Sequence, residues 1–305
     1  MSRILVSGLI NIEITLRVES FPLEYVPTRY PFFGVNSEVS GVGFNIAKAL
    51  TTLGDTVDFL SIIGKDLAGG LVRARLRQCR ISEDFIVEGI EQTAHSVIIF
   101  DKDGKRQIHV DLKDIQERVY PKELFGQALK ECSLAVLCNI NFSRPFLRKA
   151  KQAGKPIATD VHGISNLDDV YNRDFIRAAD ILFMSDELLP HPPEEWVKKL
   201  RDRCGTEIIV VGLGAEGALL SVKSDRFLER VPAVRAPKIV NTIGAGDALF
   251  SCFVHCYNKS GDPYESIRKA VAFASHKIGE TCAAEGFLTE PKLNALYAKL
   301  TAAKP

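Results

Sequence analysis

The sequence predicts an α/β fold in three layers, with helices on both faces of a central, mostly parallel sheet and a second, small sheet projecting from it. Two observations carry that expectation. Short apolar runs rich in β-branched residues recur along the chain: ILV (4–6), VDFLSII (57–63), LAVLC (134–138), PIATD (156–160), ADILFM (179–184) and EIIVV (207–211). Segments of helical spacing separate them, and such alternation builds βαβ units around a parallel sheet. Two stretches break the rhythm. Thr15 to Glu38 holds Pro22, Pro27 and Pro31 among aromatic residues, and VIIFDKDGKRQIHV (97–110) reads as a hairpin with Asp103 and Gly104 in its turn. Neither leads into a crossover helix, so the strands of a lid are expected within about 12–38 and about 95–112. With no internal repeat and no low-complexity linker, residues 1–305 read as a single domain.

Each element has a local signal. Asn11 and Glu13 follow the first strand two residues apart, so one strand face presents both. Ile46, Leu50 and Leu53 are spaced for a helix, and Gly54 supplies its C-terminal cap. Asn139 and Asn141 follow LAVLC, Asp160 closes PIATD, and Ser185, Asp186 and Glu187 close ADILFM. Ligands of open α/β sheets sit beyond the carboxyl ends of the strands, where these residues make a polar rim. Each alone also suits an ordinary loop cap or turn. GLGAEG (212–217) fits the G-x-G-x-x-G pattern of dinucleotide sites, but ALLSVK after it reads as a strand, so a hairpin turn is expected. Such a turn still presents backbone N–H groups to a phosphate. Asp262, Pro263 and Glu265 open a helix over 263–280.

NTIGAGDALF (241–250) is the stretch that suggests chemistry. Gly244, Ala245 and Gly246 allow unhindered approach to the backbone, and ALFSCFVHCY after them is apolar nearly all round, as a buried helix requires. The N-terminus of that helix aims N–H groups and the positive end of its dipole into the site, which makes an anion site. Asp247 lies in the first turn, where the dipole keeps its carboxylate ionised and ready to take a proton from a hydroxyl beside a bound phosphate. The plainer alternative is a glycine turn with Asp247 complementing the dipole, an effect of about 0.3–1 kcal/mol. It leaves the glycine pair unexplained.

Composition removes other classes. Hydrophobic residues are 46% and charged residues 25%, and a net charge of +1 gives no basic footprint for nucleic acid or anionic lipid. A small molecule is the expected partner. Seven cysteines without a C-x-x-C pair read as reduced thiols, and Cys252 and Cys256 lack companions for a zinc set. The N-terminal apolar run is too short for a signal sequence or a membrane span, so the cytoplasm is expected.

Together the motifs resemble those of the ribokinase-like, or PfkB, family of carbohydrate and nucleoside kinases. NTIGAGDALF resembles its D-T-x-G-A-G-D signature, and SGVGFNIAKALTTLG (40–54) its glycine-rich G-G-x-x-x-N segment. GLINIE (8–13) resembles its first strand end, IIGKDLAGG its G-x-D-x-x-G segment, and VVGLGAEGALL its nucleotide turn. The matches occur in order over nearly the whole chain. The resemblance implies a ribokinase-like α/β/α fold with a β-sheet lid. It implies ATP-dependent transfer of the γ-phosphoryl group to a hydroxyl of an unphosphorylated sugar or ribonucleoside. By the same resemblance Asp247 is the base, and Gly244, Ala245 and Gly246 form the backbone anion hole. Asn11, Glu13, Gly41, Gly43, Asn45 and Asn141 would hold the acceptor, and Gly212, Gly214, Gly217, Thr242 and Ser275 would surround ATP. A homodimer through the lid belongs to the same expectation.

Several positions depart from the family pattern. Mg2+ is expected with ATP, but the N-x-x-E segment linked to it reads Ser185 and Leu188 here, leaving Asp186 and Glu187 as substitutes. Asn241 replaces the usual Asp, a residue tied in relatives to monovalent-cation and phosphate-site organisation, which leaves activation by K+ open. Glu13 stands where Asp is common, and Val42 where a lysine sometimes stands. The acceptor motifs hold no evident cationic clamp, which argues against an acceptor already carrying phosphate. Sugar and nucleoside both stay open; Phe32, Phe33 and Phe44 are candidates to stack on a base, against plain core or lid packing. Two other classes have their own support: a non-catalytic sugar or nucleotide sensor in the altered metal segment, and an NAD-dependent oxidoreductase in GLGAEG.

Overall fold

Every apolar run singled out above forms a strand. The computed structural model describes residues 2–102, 104–234, 239–280 and 282–302. The strands among them are β1 (Arg3–Ser7), β2 (Asn11–Arg17), β3 (Val35–Ser40), β4 (Thr56–Gly64), β5 (Ile86–Ile90), β6 (His95–Phe100), β7 (Arg106–Asp111), β8 (Leu134–Leu137), β9 (Ile157–Gly163), β10 (Ile181–Ser185), β11 (Ile208–Gly212), β12 (Ala218–Val222) and β13 (Phe227–Val231). The helices are α1 (Val42–Leu53), α2 (Leu67–Gln78), α3 (Lys122–Glu131), α4 (Arg144–Gln152), α5 (Arg173–Ala178), α6 (Pro193–Cys204), α7 (Ala245–Ser260), α8 (Pro263–Lys277) and α9 (Glu290–Ala302).

The large sheet runs β13-β12-β11-β10-β9-β8-β1-β4-β5. Its pairs are parallel from β5 to β11, and β12 and β13 are antiparallel additions at one edge. Successive strand residues serve opposite faces. Ile4, Val6, Val136, Phe183 and Val210 pack with α1, α7 and α8; Leu5, Ala135, Leu182 and Val211 pack with α3, α4 and α6. A strand covered on both sides has no polar face, which is why these runs are continuously apolar.

The strand order reverses at β1. The chain moves outward through β4 and β5, then returns to β8 on the other flank of β1. The crevice beyond the carboxyl ends of β1 and β8 is therefore the place a ligand is expected in such a sheet. There α1 comes so close to the loop after β1 that a Cβ on Gly43 would lie 2.5 Å from the carbonyl carbon of Gly8.

The lid is a four-stranded sheet, β3-β2-β6-β7, and its strands fall in the two expected stretches. In the β6–β7 connection Asp103 lies outside the described residues, and Gly104 N donates to Asp101 O at 3.3 Å. Ile98 and Phe100 pack the lid onto Ile243 and Ala283. Val97, Ile108 and Val110 are exposed, as are Tyr25, Tyr30, Phe32 and Phe33 in the long β2–β3 connection. Phe44, read above as a possible base-stacking residue, is fully buried core instead, because it lies on the face of α1 turned to the sheet.

GLGAEG is a tight turn between antiparallel β11 and β12, not the start of a helix. That removes the context a dinucleotide fingerprint needs. Helix α8 is capped as read, Asp262 accepting from Tyr264 N (2.8 Å) and Glu265 N (3.1 Å), but it ends at Lys277 and not at residue 280. None of the seven cysteines is joined in a disulfide. Among the described residues no helix is long and apolar enough to cross a membrane.

Candidate active site

Helix α7 begins at Gly244, whose φ of 76° is left-handed and whose added Cβ would lie 2.4 Å from the Ala283 carbonyl oxygen. Only glycine meets both demands. The turn before it is fixed by Asn241 Oδ1, which accepts from Ile243 N at 3.0 Å, and by Val240 N, which donates to Ile278 O at 2.8 Å. Ala245 N donates to Thr242 O at 3.2 Å, so this amide, expected in the anion hole, is already engaged. No acceptor among the described residues takes the N–H of Gly246 or Asp247. Gly246 is exposed, with nothing within 4 Å of its would-be Cβ. Two amides at a helix N-terminus are thus left without an acceptor, as an anion site requires.

Asp247 is half-buried at the same place, and Asn45 Nδ2 donates to its Oδ2 at 2.7 Å. The sequence reading had the helix dipole keeping this carboxyl ionised. Burial outweighs it: loss of solvent, with Asp160 adding repulsion, raises the Asp247 pKa against the pull of Asn45, His162 and Lys277.

A chain of side chains leads back from Asp247 into the lid. Ser40 Oγ lies 3.3 Å from Asn45 Oδ1 and 3.1 Å from Glu13 Oε2, so its single proton serves one or the other. Asn45 is thereby oriented with its amide nitrogen on Asp247. Glu13 stands directly opposite Glu38 in the β2–β3 register. Its pKa is pushed up to about 7, first by burial and then by Glu38. Asn11 Nδ2 donates to Ser96 Oγ at 3.0 Å. Asn11 Oδ1 and Glu13 Oε1 are both buried without a partner among the described residues. Buried acceptors left unpaired are rare, and two in one crevice suit a ligand that brings hydroxyl donors.

The raised Glu13 pKa has a consequence for stability. The unfolded chain releases that proton from about 4.5 upward while the folded protein holds it to about 7, so folding stability falls as pH rises through that window. In Glu13→Gln the slope is expected to flatten, measured by denaturant titration at the two ends of the range.

Other expected residues are placed differently. Asn141 lies beyond β8 as read, but its Nδ2 donates to Gln116 O (3.1 Å), its N to Gln116 Oε1 (3.0 Å), and its Oδ1 accepts from Arg144 (3.3 Å). It is satisfied by the protein itself. Gly43 is buried against Gly8, and Gly41, half-buried, lies against Leu9 O, so both serve close packing of the 40–44 segment on the loop after β1. Gly212 ends β11, Gly214 lies in the exposed turn with Gly217 half-buried at its end, and Ser275 is half-buried on α8. Asp186 and Glu187 lie just beyond β10, and no group of three or more ligating side chains occurs among the described residues. Glu187 is paired with Arg106, at 2.9 Å.

Three residues here escaped the sequence reading. Arg106 reaches from lid strand β7 to Thr242 Oγ1 (3.1 Å) as well as to Glu187, bridging the lid and the loop before α7. Its one sequence signal is a cation two residues past the hairpin glycine. His162, near the end of β9, acts on the charge of Asp247. Lys277 is fully buried and donates through Nζ to Ile243 O.

The profile of pfkB family carbohydrate kinases matches residues 1–290. The chain belongs to that family. Along 99% of both chains it is 25% identical to an ATP-dependent ribose-1-phosphate kinase of Halopiger xanaduensis. It is 26% identical to a deoxyribokinase of Salmonella typhimurium, over 90% of this chain and 92% of the other. Among solved structures, a microbiome-derived acarbose kinase superposes with a TM-score of 0.86 at 25% identity, over 97% of this chain and 99% of that one. A Burkholderia thailandensis nucleoside kinase in complex with inosine has the same fold, with a TM-score of 0.78 at 18% identity over 99% and 100% of the chains. This PfkB protein is accordingly a phosphotransferase of the sugar and nucleoside kinase class, and the family implies ATP, usually with Mg2+.

Proposed function

We propose that the protein transfers the γ-phosphoryl group of ATP to a hydroxyl of an unphosphorylated sugar or ribonucleoside, with Asp247 as general base. The observation that carries this reading is the row of side chains Glu13, Ser40, Asn45 and Asp247, each within hydrogen-bonding reach of the next, which ends at the open N-terminus of α7. Asn11 Oδ1 and Glu13 Oε1 accept from two hydroxyls of the acceptor and turn a third toward Asp247. Asn45 holds one oxygen of that carboxyl, and the other takes the proton as the acceptor oxygen attacks. A carboxyl with a raised pKa is a stronger base once ionised, so burial aids the transfer. Phosphoryl transfer depends mainly on positioning and on neutralising charge, which the amides of Gly246 and Asp247 supply. The turn of Gly212, Gly214 and Gly217, with Thr242 and Ser275, borders the nucleotide. Mg2+, when bound, would be held largely through the ATP phosphates and water and would neutralise charge on the transferring group.

Arg106 joins the lid to Thr242 and therefore closes over the transferring group. Arg106→Ala is expected to lower kcat about tenfold or more with a smaller change in acceptor KM, read from initial rates. For the acceptor, the guanidinium of Arg144 is committed to Asn141, Tyr171 and Asp174, and Lys48 to Glu285. That favours a neutral acceptor over a sugar phosphate. A panel of pentoses, hexoses, oligosaccharides, nucleosides and ribose 1-phosphate tests this: a neutral polyol should give the highest kcat/KM, and preference for the phosphorylated sugar would overturn it. A homodimer through the exposed face of the lid belongs to the same reading, with sedimentation velocity as its check.

A further inference from the structure

The surroundings of residue 241 do not fit a free monovalent cation. Asn241 is neutral, and its Oδ1 is bonded to Ile243 N at 3.0 Å. The Ile243 carbonyl, one residue before Gly244, already accepts from the Lys277 ammonium. Lysine is almost never fully buried without a paired role, yet Lys277 has no exposed surface. A cation in the last turn of α8 complements the helix dipole, but a solvent-facing lysine would serve that purpose equally. This side chain runs inward instead, toward the underside of the anion hole. The acids Asp247, Glu38 and Glu13 all act on its charge. Burial lowers its pKa and these acids oppose the fall.

We propose that Lys277 is a tethered monovalent cation: its ammonium replaces a free K+, fixes the Ile243 carbonyl, and so holds the turn that presents the amides of Gly246 and Asp247. Lys277 touches no reacting atom in this account and is a positioning residue. The neutral Asn241 is its counterpart, because the aspartate expected there by resemblance would serve to hold an ion that Lys277 makes unnecessary. The catalytic consequence rests on the kinase reading above; the cation requirement of the fold does not.

The test starts with the unaltered protein in tetramethylammonium salt at constant ionic strength, titrated with K+ or Na+. Phosphoryl transfer is expected to change by less than about twofold, and the melting midpoint not at all. A K+-specific activation of about tenfold or more, or a K+-specific rise in the midpoint, overturns the proposal. Lys277→Met is expected to lose about tenfold or more in kcat with little change in acceptor KM; parental kcat in this variant also overturns it. The double change Asn241→Asp with Lys277→Met should acquire a midpoint and a rate that rise with K+ and not with Na+. If that double variant does not fold, the titration of the unaltered protein still decides. If no acceptor is phosphorylated in any salt, the kinase reading fails, and the melting midpoints alone decide whether the ammonium has replaced the ion.

Discussion

Replacing Asp247 by Asn is expected to lower kcat by about 10²–10⁴-fold while the protein keeps or gains thermal stability. The two effects have one origin. Asp247 is confined where burial penalises its charge, and among the described residues Asn45 is the one neighbour hydrogen-bonded to its Oδ2. In Asp247→Asn an amide oxygen can still accept from Asn45, so the local geometry is kept while the proton acceptor is lost. Removing a carboxylate held against desolvation relieves the fold wherever the parent is ionised, which raises the melting midpoint above the raised pKa. Single-turnover transfer from radiolabelled ATP, with melting curves alongside, separates these readouts. Turnover within about tenfold of the parent would remove Asp247 as the base, and a large drop in midpoint would show that the variant reports on folding and not on chemistry.

How much of this was legible in the sequence depended on how local each cause was. The sheet was legible because a parallel strand buried on both faces is one unbroken apolar run, as in ADILFM and EIIVV. The lid was legible as the place where that pattern failed. The GAGD stretch was legible because glycine turn, helix start and acid are adjacent in the chain. What escaped came from contacts between distant residues. Arg106 meets Thr242 across 136 positions, and Lys277 meets Ile243 across 34. No spacing rule joins them. The ionisation of Asp247 was read from its own helix dipole, yet its environment is set by Asn45, 202 positions away, and by Asp160 and His162 in β9. Asn141 was placed correctly at the rim, but Gln116, 25 positions earlier, takes its hydrogen bonds. A motif therefore located these side chains without fixing their partners.

The glycines show the same limit and give the second large effect. Gly43→Ala is expected to destabilise the protein by about 2–4 kcal/mol, because overpacking against rigid backbone is among the more disruptive small changes. The added methyl would lie 2.5 Å from Gly8 C, 2.7 Å from its Cα and 2.9 Å from its O, all main-chain atoms. Gly8 has no room to retreat, since Cys138 Sγ lies 2.6 Å from its own would-be Cβ. Gly246→Ala is expected to behave in the opposite way. Nothing stands within 4 Å of the new methyl, and alanine is favoured over glycine in a helix by about 1 kcal/mol, so the midpoint should hold or rise. That methyl would nevertheless project into the space before the α7 amides, and ATP-dependent transfer should fall by about tenfold or more. Melting curves and initial rates on the two variants divide the glycines by function. Parental stability in Gly43→Ala would return that segment to acceptor binding, and parental turnover in Gly246→Ala would mean that no phosphate approaches the helix there.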